Sequence, residues 1–318
     1  MDSRKLRHQF EYLAFQCLRT IIAFTPMWLA GRVADGLGWM VHRVIPRRLT
    51  RYDVARENLA TAFGDSLTDT AADRIILGMW QHLFRMIVEL IQLPRHFRLY
   101  DCNEILDFHN REWCVQTLCA ERPVLMLGGH FGNWEISVNT FGHFGFPMGV
   151  VARHLDNPYL HRWFQRFRES SGNHMILKHG AGPELASIME SGGMAALLCD
   201  QDAGRSGVFV DFFGRPASTF KSIALLAMQY DALILVGGAY RLPPEQQKGA
   251  RWVRFDLATE DVIDPRDFQG ANALNEITQR YTTALENLIR RAPEQYFWVH
   301  RRWKSEPRTR RTRKRAAA

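Results

Sequence analysis

The chain has 318 residues, of which 46% are hydrophobic and 23% are charged. This length supports one large packed domain with room for an appendage, and the even spread of 13 prolines and 23 glycines argues against a long disordered linker. The formal net charge of +8 favours an anionic partner, such as an anionic membrane, an acidic protein or nucleic acid.

The N-terminal segment, residues 1–48, is rich in large apolar side chains, including Trp28 and Trp39. Its longest uncharged stretch, residues 20–31, has only twelve residues, whereas a spanning helix needs about 20. A secretory signal is not expected, because no small-residue cleavage site follows a short apolar core. We predict helices that lie in the membrane interface, with tryptophans at headgroup depth. The alternative is a helical hairpin packed against the domain.

The C-terminal end of the chain is strongly basic. Residues 301–315 read RRWKSEPRTRRTRKR and contain nine lysines or arginines and one glutamate. We expect residues 308–318 to form a basic tail that adheres to phosphates, and a solvated tail is the alternative. Nucleic acid is the less favoured partner of this tail, because proteins that bind single strands interleave aromatic and basic residues. Here Trp303 is the only aromatic residue among the basic positions.

Residues 49–307 form the predicted main domain. Residues 68–93 have helical periodicity, with Thr70 and Asp73 as capping residues and Pro94 as the end. From residue 123 onwards, short apolar runs alternate with helical patterns that start near Asn133, Pro158, Gly182 and Lys221, and a last helix covers 272–291. The apolar runs are VLMLGG, MGVVAR, HMILK, MAALLC and LILVGG. This alternation predicts an α/β fold, with a mainly parallel sheet covered by helices on both faces.

The stretch VLMLGGHFGNWEIS, residues 124–137, carries the candidate chemistry. His130 follows a predicted strand, where ligands bind in open parallel sheets. If Glu135 lies in the first helical turn, it orients the imidazole, and His130 serves as a base. No Gly-x-Ser-x-Gly elbow occurs, so the nucleophile is expected to be a substrate alcohol attacking an activated acyl group. Backbone N–H groups of Phe131 and Gly132 are the candidate oxyanion donors.

Two other interpretations of the same stretch stay open on spacing alone. His130 is an ordinary core histidine in the first, with Glu135 capping a helix. In the second, His130 binds a metal together with His154 or His161, as in a metal-dependent hydrolase, although no spacing brings three ligands together. The five cysteines contain no CxxC pair and are expected to be reduced, mostly buried thiols in a cytoplasmic setting, with Cys114 and Cys119 a weak metal pair at best.

A resemblance favours the interpretation of His130 as a catalytic base. GGHFGNWE resembles the His-x4-acid motif of glycerolipid-type acyltransferases, and its form with Glu and Asn-Trp resembles the late acyltransferases of lipid A biosynthesis. Further segments are similar in the same order, over roughly residues 50–307: VARENLATAFGD, VVARHLDNPYL, LLCDQDAGRSGVFVDFFGRPAS and YFWVHRRWKSEP. Lys221 departs from the small hydroxyl residues usual there, and the N-terminal segment lacks the family's clearer spanning helix.

The resemblance implies a role for each matching residue. His130 is the general base and Glu135 its orienting partner, while Arg153 matches an arginine that contacts phosphate or developing charge. Asp200 matches an Asp-Gln segment beside the same pocket. The polar candidates for substrate binding are therefore Arg153, Asn133, Asp200, Gln201 and Asp202, with helix capping as the alternative for Asn133 and loop scaffolding for the last three. No metal and no cofactor is expected.

The resemblance also implies the reaction and the partners. The expected activity is transfer of a fatty acyl chain from a thioester, on acyl carrier protein or coenzyme A, to a hydroxyl of a lipid A precursor. The expected location is the cytoplasmic face of the inner membrane, with peripheral or N-terminal attachment to an anionic surface and no nucleic acid partner. Alternatives are another glycolipid or phospholipid acceptor, such as mannosylated phosphatidylinositol, a metal-dependent hydrolase, or a non-catalytic lipid-binding protein.

Overall fold

A computed structural model describes residues 3–307 of the chain, so the predicted basic tail at 308–318 lies outside the described residues. The described residues form eleven α-helices and nine β-strands, which confirms the predicted α/β fold. The helices are α1 Ser3–Phe24, α2 Met27–Arg43, α3 Arg47–Thr50, α4 Tyr52–Phe63, α5 Asp69–His96, α6 Arg111–Leu118, α7 Trp134–His143, α8 Pro158–Glu169, α9 Ala181–Glu190, α10 Lys221–Tyr230 and α11 Ala273–Arg291. The strands are β1 Leu106–His109, β2 Val124–Gly128, β3 Gly149–Ala152, β4 His174–Leu177, β5 Met194–Leu198, β6 Val208–Phe212, β7 Arg215–Thr219, β8 Leu233–Arg241 and β9 Phe255–Ile263.

Seven strands form one sheet in the order β1-β9-β8-β2-β5-β3-β4. The five strands from β8 to β4 are mutually parallel, whereas β9 pairs antiparallel with β8, and β1 follows the direction of β9. The five parallel strands therefore end at a common edge, called the carboxyl edge below. The strands β1 and β9 end at the opposite edge.

The central strand β2 is buried on both faces. Leu125 and Leu127 pack in a cluster with residues of α9, α10 and α11. Val124 and Met126 point the other way, into a second cluster with residues of α6, α7 and α8. Alternate side chains of a strand face opposite sides of a sheet, so helices cover both faces of the sheet, as the unbroken apolar run of β2 predicts.

Helix α5 differs at both ends from the sequence-based prediction. Its N-cap is Thr68, whose hydroxyl accepts from the Ala71 N–H, and neither Thr70 nor Asp73 has this role. Asp73 instead accepts a hydrogen bond from Tyr52. Pro94 lies inside the last turn rather than ending the helix, because a proline so close to a C-terminus removes one backbone hydrogen bond and leaves few turns to disrupt.

The N-terminal helices α1 and α2 pack against α5 and leave an apolar side exposed. On α1, the rings of Tyr12 and Phe15 contact Tyr159 and Trp163 of α8. Large exposed apolar residues remain on both helices: Leu6, Phe10, Leu13, Leu18, Ile21 and Phe24 on α1, and Trp28, Leu29, Val33, Leu37, Trp39 and Met40 on α2. Within residues 3–307, none of the helices combines the length and the hydropathy that a membrane crossing requires.

The prediction missed the strands β1 and β9 and a separate hairpin of β6 and β7. The hairpin turns at Phe213 and Gly214, which both have positive φ, of 55° and 72°. Two successive left-handed residues suit the two-residue turns whose twist matches paired strands. A phenylalanine at the first of these positions hides the turn from sequence rules that look for Asn or Gly there.

Candidate active site

His130 and Asp200 occupy equivalent positions at the carboxyl edge. The neighbouring strands β2 and β5 pair in parallel, with Gly128 opposite Leu198. His130 lies two residues beyond the first of these and Asp200 two residues beyond the second. The register of the two strands therefore brings an imidazole and a carboxylate together, although 69 residues separate them in the chain.

Both carboxylate oxygens of Asp200 bind His130. Oδ1 lies 2.8 Å from the ring Nδ1, and Oδ2 accepts from the His130 backbone N–H at 2.9 Å. Asp200 is completely buried, while the His130 side chain keeps 20% of its surface exposed. An ionised carboxylate only accepts hydrogen bonds, so the Nδ1 atom carries the proton. The Nε2 atom of neutral His130 is thereby left as the basic nitrogen.

The pair shifts the pKa of each partner. Burial alone lowers the pKa of His130, but the charge of Asp200 and its hydrogen bond outweigh this effect and raise the pKa above its ordinary value. Burial alone raises the pKa of Asp200, but the charge and hydrogen bonds of His130 hold it below its ordinary value. Each group thus stabilises the charged form of the other.

Glu135 lies in the first turn of α7, as predicted, but it does not orient His130. Its carboxylate accepts from the Arg168 guanidinium of α8, with Nε at 3.0 Å and Nη2 at 2.5 Å. The predicted contact is wrong because sequence spacing covers only local partners, and the strand register supplies a carboxylate from a distant segment. Arg168 was not foreseen, since no spacing links residue 168 to residue 135.

The predicted oxyanion donor Gly132 is also corrected. Its N–H already donates to the Gln295 carbonyl at 3.0 Å. Gly132 has φ +59°, and a Cβ there would lie 2.1 Å from the Ala239 carbonyl oxygen, so only glycine fits this left-handed turn. The Phe131 N–H, in contrast, has no hydrogen-bond acceptor among residues 3–307.

Asn133 serves as a helix cap rather than as a substrate ligand. The side chain is completely buried. Its Oδ1 accepts from the Ile136 N–H at 3.2 Å, and its Nδ2 donates to Glu89 at 2.9 Å. Both ends of the amide therefore bind groups of the protein, which favours the helix-cap alternative for Asn133.

A narrow apolar cavity adjoins the basic histidine. His130 lines it together with Met79, Leu83, Trp134 and Phe297. The ring of Trp134 meets His130 edge-on at 5.1 Å between centroids. The cavity has a volume of only about 10 Å³, about the space of one water molecule.

The model of the family described as bacterial lipid A biosynthesis acyltransferase matches residues 2–305. The chain belongs to this family. It is therefore an acyltransferase.

Three relatives have names that state their activity. A phosphatidylinositol mannoside acyltransferase of Mycolicibacterium smegmatis is 29% identical over 236 residues, which cover 65% of this chain and 74% of that protein. A lipid A biosynthesis lauroyltransferase of Escherichia coli is 28% identical, covering 59% of this chain and 58% of the relative. A palmitoleoyltransferase of lipid A biosynthesis, also from Escherichia coli, is 27% identical, covering 58% and 57%. The matches span less than two thirds of each Escherichia coli relative.

The other predicted substrate-binding residues of this acyltransferase have different environments. Arg153 is exposed directly after β3, at the carboxyl edge. Gln201 lies beside the site, with its Nε2 3.4 Å from His300 Nε2. Asp202 instead fixes its own loop and the segment around Ser305, because it accepts from the Ser305 hydroxyl at 3.0 Å and from the Gly204 N–H at 3.1 Å. Asp202 therefore matches the loop-scaffolding alternative.

His300 is a site residue that the sequence-based assignment missed. Its ring meets His130 at 4.8 Å between centroids. Asn58 fixes this segment, because its Nδ2 donates to the carbonyl oxygens of Trp298 and His300, each at 2.6 Å. Both residues fall in the segments that resemble the family, NLATAF and WVHRR, so this resemblance was the available signal.

The metal interpretation finds no third ligand in the described residues. His154 and His161 stack on each other at 4.0 Å between ring centroids, but no group of three or more His, Cys, Asp or Glu residues within 3–307 is arranged to hold a metal ion. All five cysteines are free, and only Cys114 and Cys199 are buried. The expectation of mostly buried thiols is therefore wrong.

Proposed function

We propose that this acyltransferase moves a fatty acyl chain from a thioester donor to a hydroxyl group of an anionic glycolipid, with His130 as the general base. The observation that carries the proposal is the hydrogen-bonded pair of His130 and buried Asp200, with Nε2 as the basic nitrogen. Family membership supports the reaction class. The proposed reaction needs no nucleophile from the protein, because the acceptor supplies it.

In the proposed reaction, Nε2 of His130 takes the proton of the acceptor hydroxyl as its oxygen attacks the thioester carbonyl. The imidazolium that forms is stabilised by the Asp200 carboxylate, which stays ionised. The tetrahedral intermediate then collapses with cleavage of the carbon–sulfur bond. The thiolate leaves with the proton that His130 returns, so the ester and the free thiol are formed and the base is regenerated.

The negative charge of the intermediate needs a donor or a cation nearby. The Phe131 N–H is a backbone donor beside His130 that has no acceptor among residues 3–307. Lys178, directly after β4, is exposed, and its positive charge acts on His130. We assign the Phe131 N–H to charge stabilisation, in place of Gly132, and Lys178 to attraction of the anionic acceptor.

For the acceptor, the family description favours a lipid A precursor. The mycobacterial relative favours a mannosylated phosphatidylinositol, because its match covers the larger share of both chains. Both classes combine sugar hydroxyls with phosphate, which suits a chain of net charge +8. The same charge suits acyl carrier protein, which is acidic, as the donor ahead of acyl coenzyme A.

The test is transfer by purified protein in detergent or vesicles, with acyl carrier protein or coenzyme A thioesters and each acceptor, followed by mass spectrometry of the lipids. His130→Ala is expected to lower kcat by about 10² to 10⁴, the contribution of a general base. His109→Ala is the matched control, because His109 ends β1 at the opposite edge of the sheet and is exposed. Transfer by His130→Ala at the wild-type rate would refute the mechanism.

We further propose that α1 and α2 lie in the membrane interface at the cytoplasmic face. The exposed apolar residues of α1 recur at spacings of three to five, as in Leu6, Phe10 and Leu13, and those of α2 include Trp28 and Trp39. Phe10→Ser with Trp28→Ser is expected to weaken flotation with anionic vesicles about tenfold or more at any salt concentration. Val115→Ser, at an exposed apolar position of α6, is the control. Complete release of the wild-type protein by salt alone would contradict the apolar attachment.

A further inference from the structure

A buried charged network lies beneath the loop of residues 129–133 that carries His130. Glu89 of α5 is completely buried, and its Oε1 accepts from Nε of Arg241, at the end of β8, at 2.6 Å. Nη2 of Arg241 lies 2.5 Å from the same oxygen as an ion-pair contact without hydrogen-bond geometry. Its Oε2 accepts from the Asn133 amide at 2.9 Å. One carboxylate thus binds a strand end and the helix cap of the catalytic loop together.

The network extends to His82 and fixes its protonation. Nη1 of Arg241 lies 3.2 Å from His82 Nδ1. A guanidinium only donates, so Nδ1 accepts and the ring proton resides on Nε2. That nitrogen lies 3.0 Å from the Gly132 carbonyl oxygen and donates to it. Burial, reinforced by the charge of Arg241, lowers the pKa of His82 to about 3, which keeps the ring neutral.

The loop is held at successive atoms by groups of this network. The Gly132 carbonyl accepts from His82, and the Gly132 N–H donates to Gln295 at 3.0 Å. The side chain of Gln295 is in turn clamped to the Arg241 backbone by two hydrogen bonds of 2.8 Å. Arg241 therefore reaches the loop through His82, through Glu89 and Asn133, and through Gln295. The Asp200 carboxylate holds the same loop at the His130 N–H.

A buried ion pair is a costly way to stabilise a fold, because desolvation offsets the attraction and apolar packing often does as well. Its recognised use is to specify one arrangement of groups. Here every arm of the network ends on the residues directly after His130. We propose that Glu89, Arg241 and His82 are positioning residues that hold the His130 ring in line with Asp200 and with the reacting hydroxyl, so that their loss lowers turnover in molecules that remain folded.

This inference rests on the proposed function of His130, and its test is kinetic. His82→Leu removes both hydrogen bonds of the ring, whereas His82→Gln keeps an N–H near the position of Nε2. For His82→Leu we expect kcat to fall about 10- to 100-fold with KM within about twofold of wild type, since a displacement of about 1 Å costs about that much. His82→Gln is expected to recover most of the loss.

A second readout separates positioning from general destabilisation. Displacement of the loop loosens the His130–Asp200 contact, so the ascending limb of the profile of kcat/KM against pH is expected to move to lower pH in His82→Leu. Arg122→Leu is the control, since Arg122 pairs with Asp264 and Asp231 in a partly exposed ion-pair cluster remote from the loop. That variant is expected to lower the melting temperature and leave kcat and the limb unchanged. All rates are measured well below each melting temperature.

The outcomes are distinct. The inference is overturned if folded His82→Leu has the wild-type kcat and the ascending limb of its pH profile stays in place. It is also overturned if Arg122→Leu loses as much kcat as His82→Leu. If His82→Leu does not fold, Glu89→Gln, which retains one acceptor and the packing, replaces it with the same expected direction, and wild-type kinetics there overturn the inference. Failure of the proposed function is recognised separately, because wild-type protein then transfers no acyl chain, or His130→Ala transfers at the wild-type rate.

Discussion

The carboxyl edge of the sheet has two unlike parts. Beyond β2 and β5, the polar groups of His130 and Asp200 are largely buried and bind each other. Beyond β3 and β4, Arg153 and Lys178 are exposed, and neither forms an ion pair with any residue within 3–307. The geometry of the first part is fixed by hydrogen bonds, whereas the second part presents solvent-exposed cations that a ligand can reach.

The difference suggests a division of roles along one edge. A group that moves a proton must be held in one geometry, which buried hydrogen bonds achieve. A group that attracts a phosphate gains from remaining accessible, and it keeps its solvation until the ligand arrives. We therefore expect substitutions in the first part to lower kcat and substitutions in the second to raise KM.

The largest effect is expected for Asp200→Asn. An asparagine has one acceptor oxygen, but His130 presents two donors, Nδ1–H and the backbone N–H. One contact is therefore lost or the ring takes the wrong tautomer, and kcat is expected to fall about 10² to 10⁴. Steady-state kinetics check this result, with Asp202→Asn as a control because Asp202 binds Ser305 rather than His130. Equal losses of kcat in Asp200→Asn and Asp202→Asn would contradict a specific role of Asp200 as the partner of His130.

The same variant changes the pH profile. His130 accepts a proton only when neutral, and its pKa is raised by Asp200. For the wild type, kcat/KM should thus rise with pH through a value above about 6.5, the ordinary histidine pKa. Without the carboxylate charge, the residual activity of Asp200→Asn should rise at lower pH than the wild type. A limb at the same pH in both proteins would contradict the assigned pair.

A smaller effect on catalysis is expected at Glu135, where stability is the main readout. Arg168→Leu leaves the largely buried Glu135 carboxylate unpaired, which is expected to cost on the order of 3 kcal/mol in the free energy of unfolding. The double variant Glu135→Leu/Arg168→Leu should cost less than the sum of the single variants. In Glu135→Gln the pH limb should stay in place. A downward shift as large as that of Asp200→Asn would restore Glu135 as the partner of His130.

The smallest effect is expected for the exposed cations. Arg153→Ala and Lys178→Ala each remove a charge worth on the order of 1 kcal/mol to an anionic ligand, so KM for the acceptor should rise about fivefold at low salt. The rise should shrink as salt screens the charge. Arg111→Ala is the control, because Arg111 follows β1 at the opposite edge of the sheet. An unchanged acceptor KM for both variants would contradict the recognition role.

Sequence rules found the local features of this fold and missed the long-range ones. The apolar runs identified β2 and the place of His130 at its end, and Asn133 was recognised as a possible cap. The partner of His130 was misassigned, because the choice between Glu135 and Asp200 depends on the register of β2 with β5. Spacing along a chain carries no information on such a register.

Buried charged residues were the second feature that the sequence did not reveal. Glu89 and His82 lie in a helix whose periodicity predicts only an apolar face, and nothing in the spacing distinguishes them from solvated residues. Arg241 lies at the end of a strand more than a hundred residues later. The role of such polar groups can be recognised only in the three-dimensional structure, where the three separate elements meet.

The loop that carries the base is completed by a segment made late in synthesis. The His130 carbonyl accepts from the Phe297 N–H, and the Gly132 N–H donates to Gln295. A nascent chain that has emerged only as far as α10 already holds both His130 and Asp200, yet it lacks these two partners. Contacts so distant in the chain close slowly. Acyl-transfer competence should therefore appear late during translation, after residues 295–297 have left the ribosome.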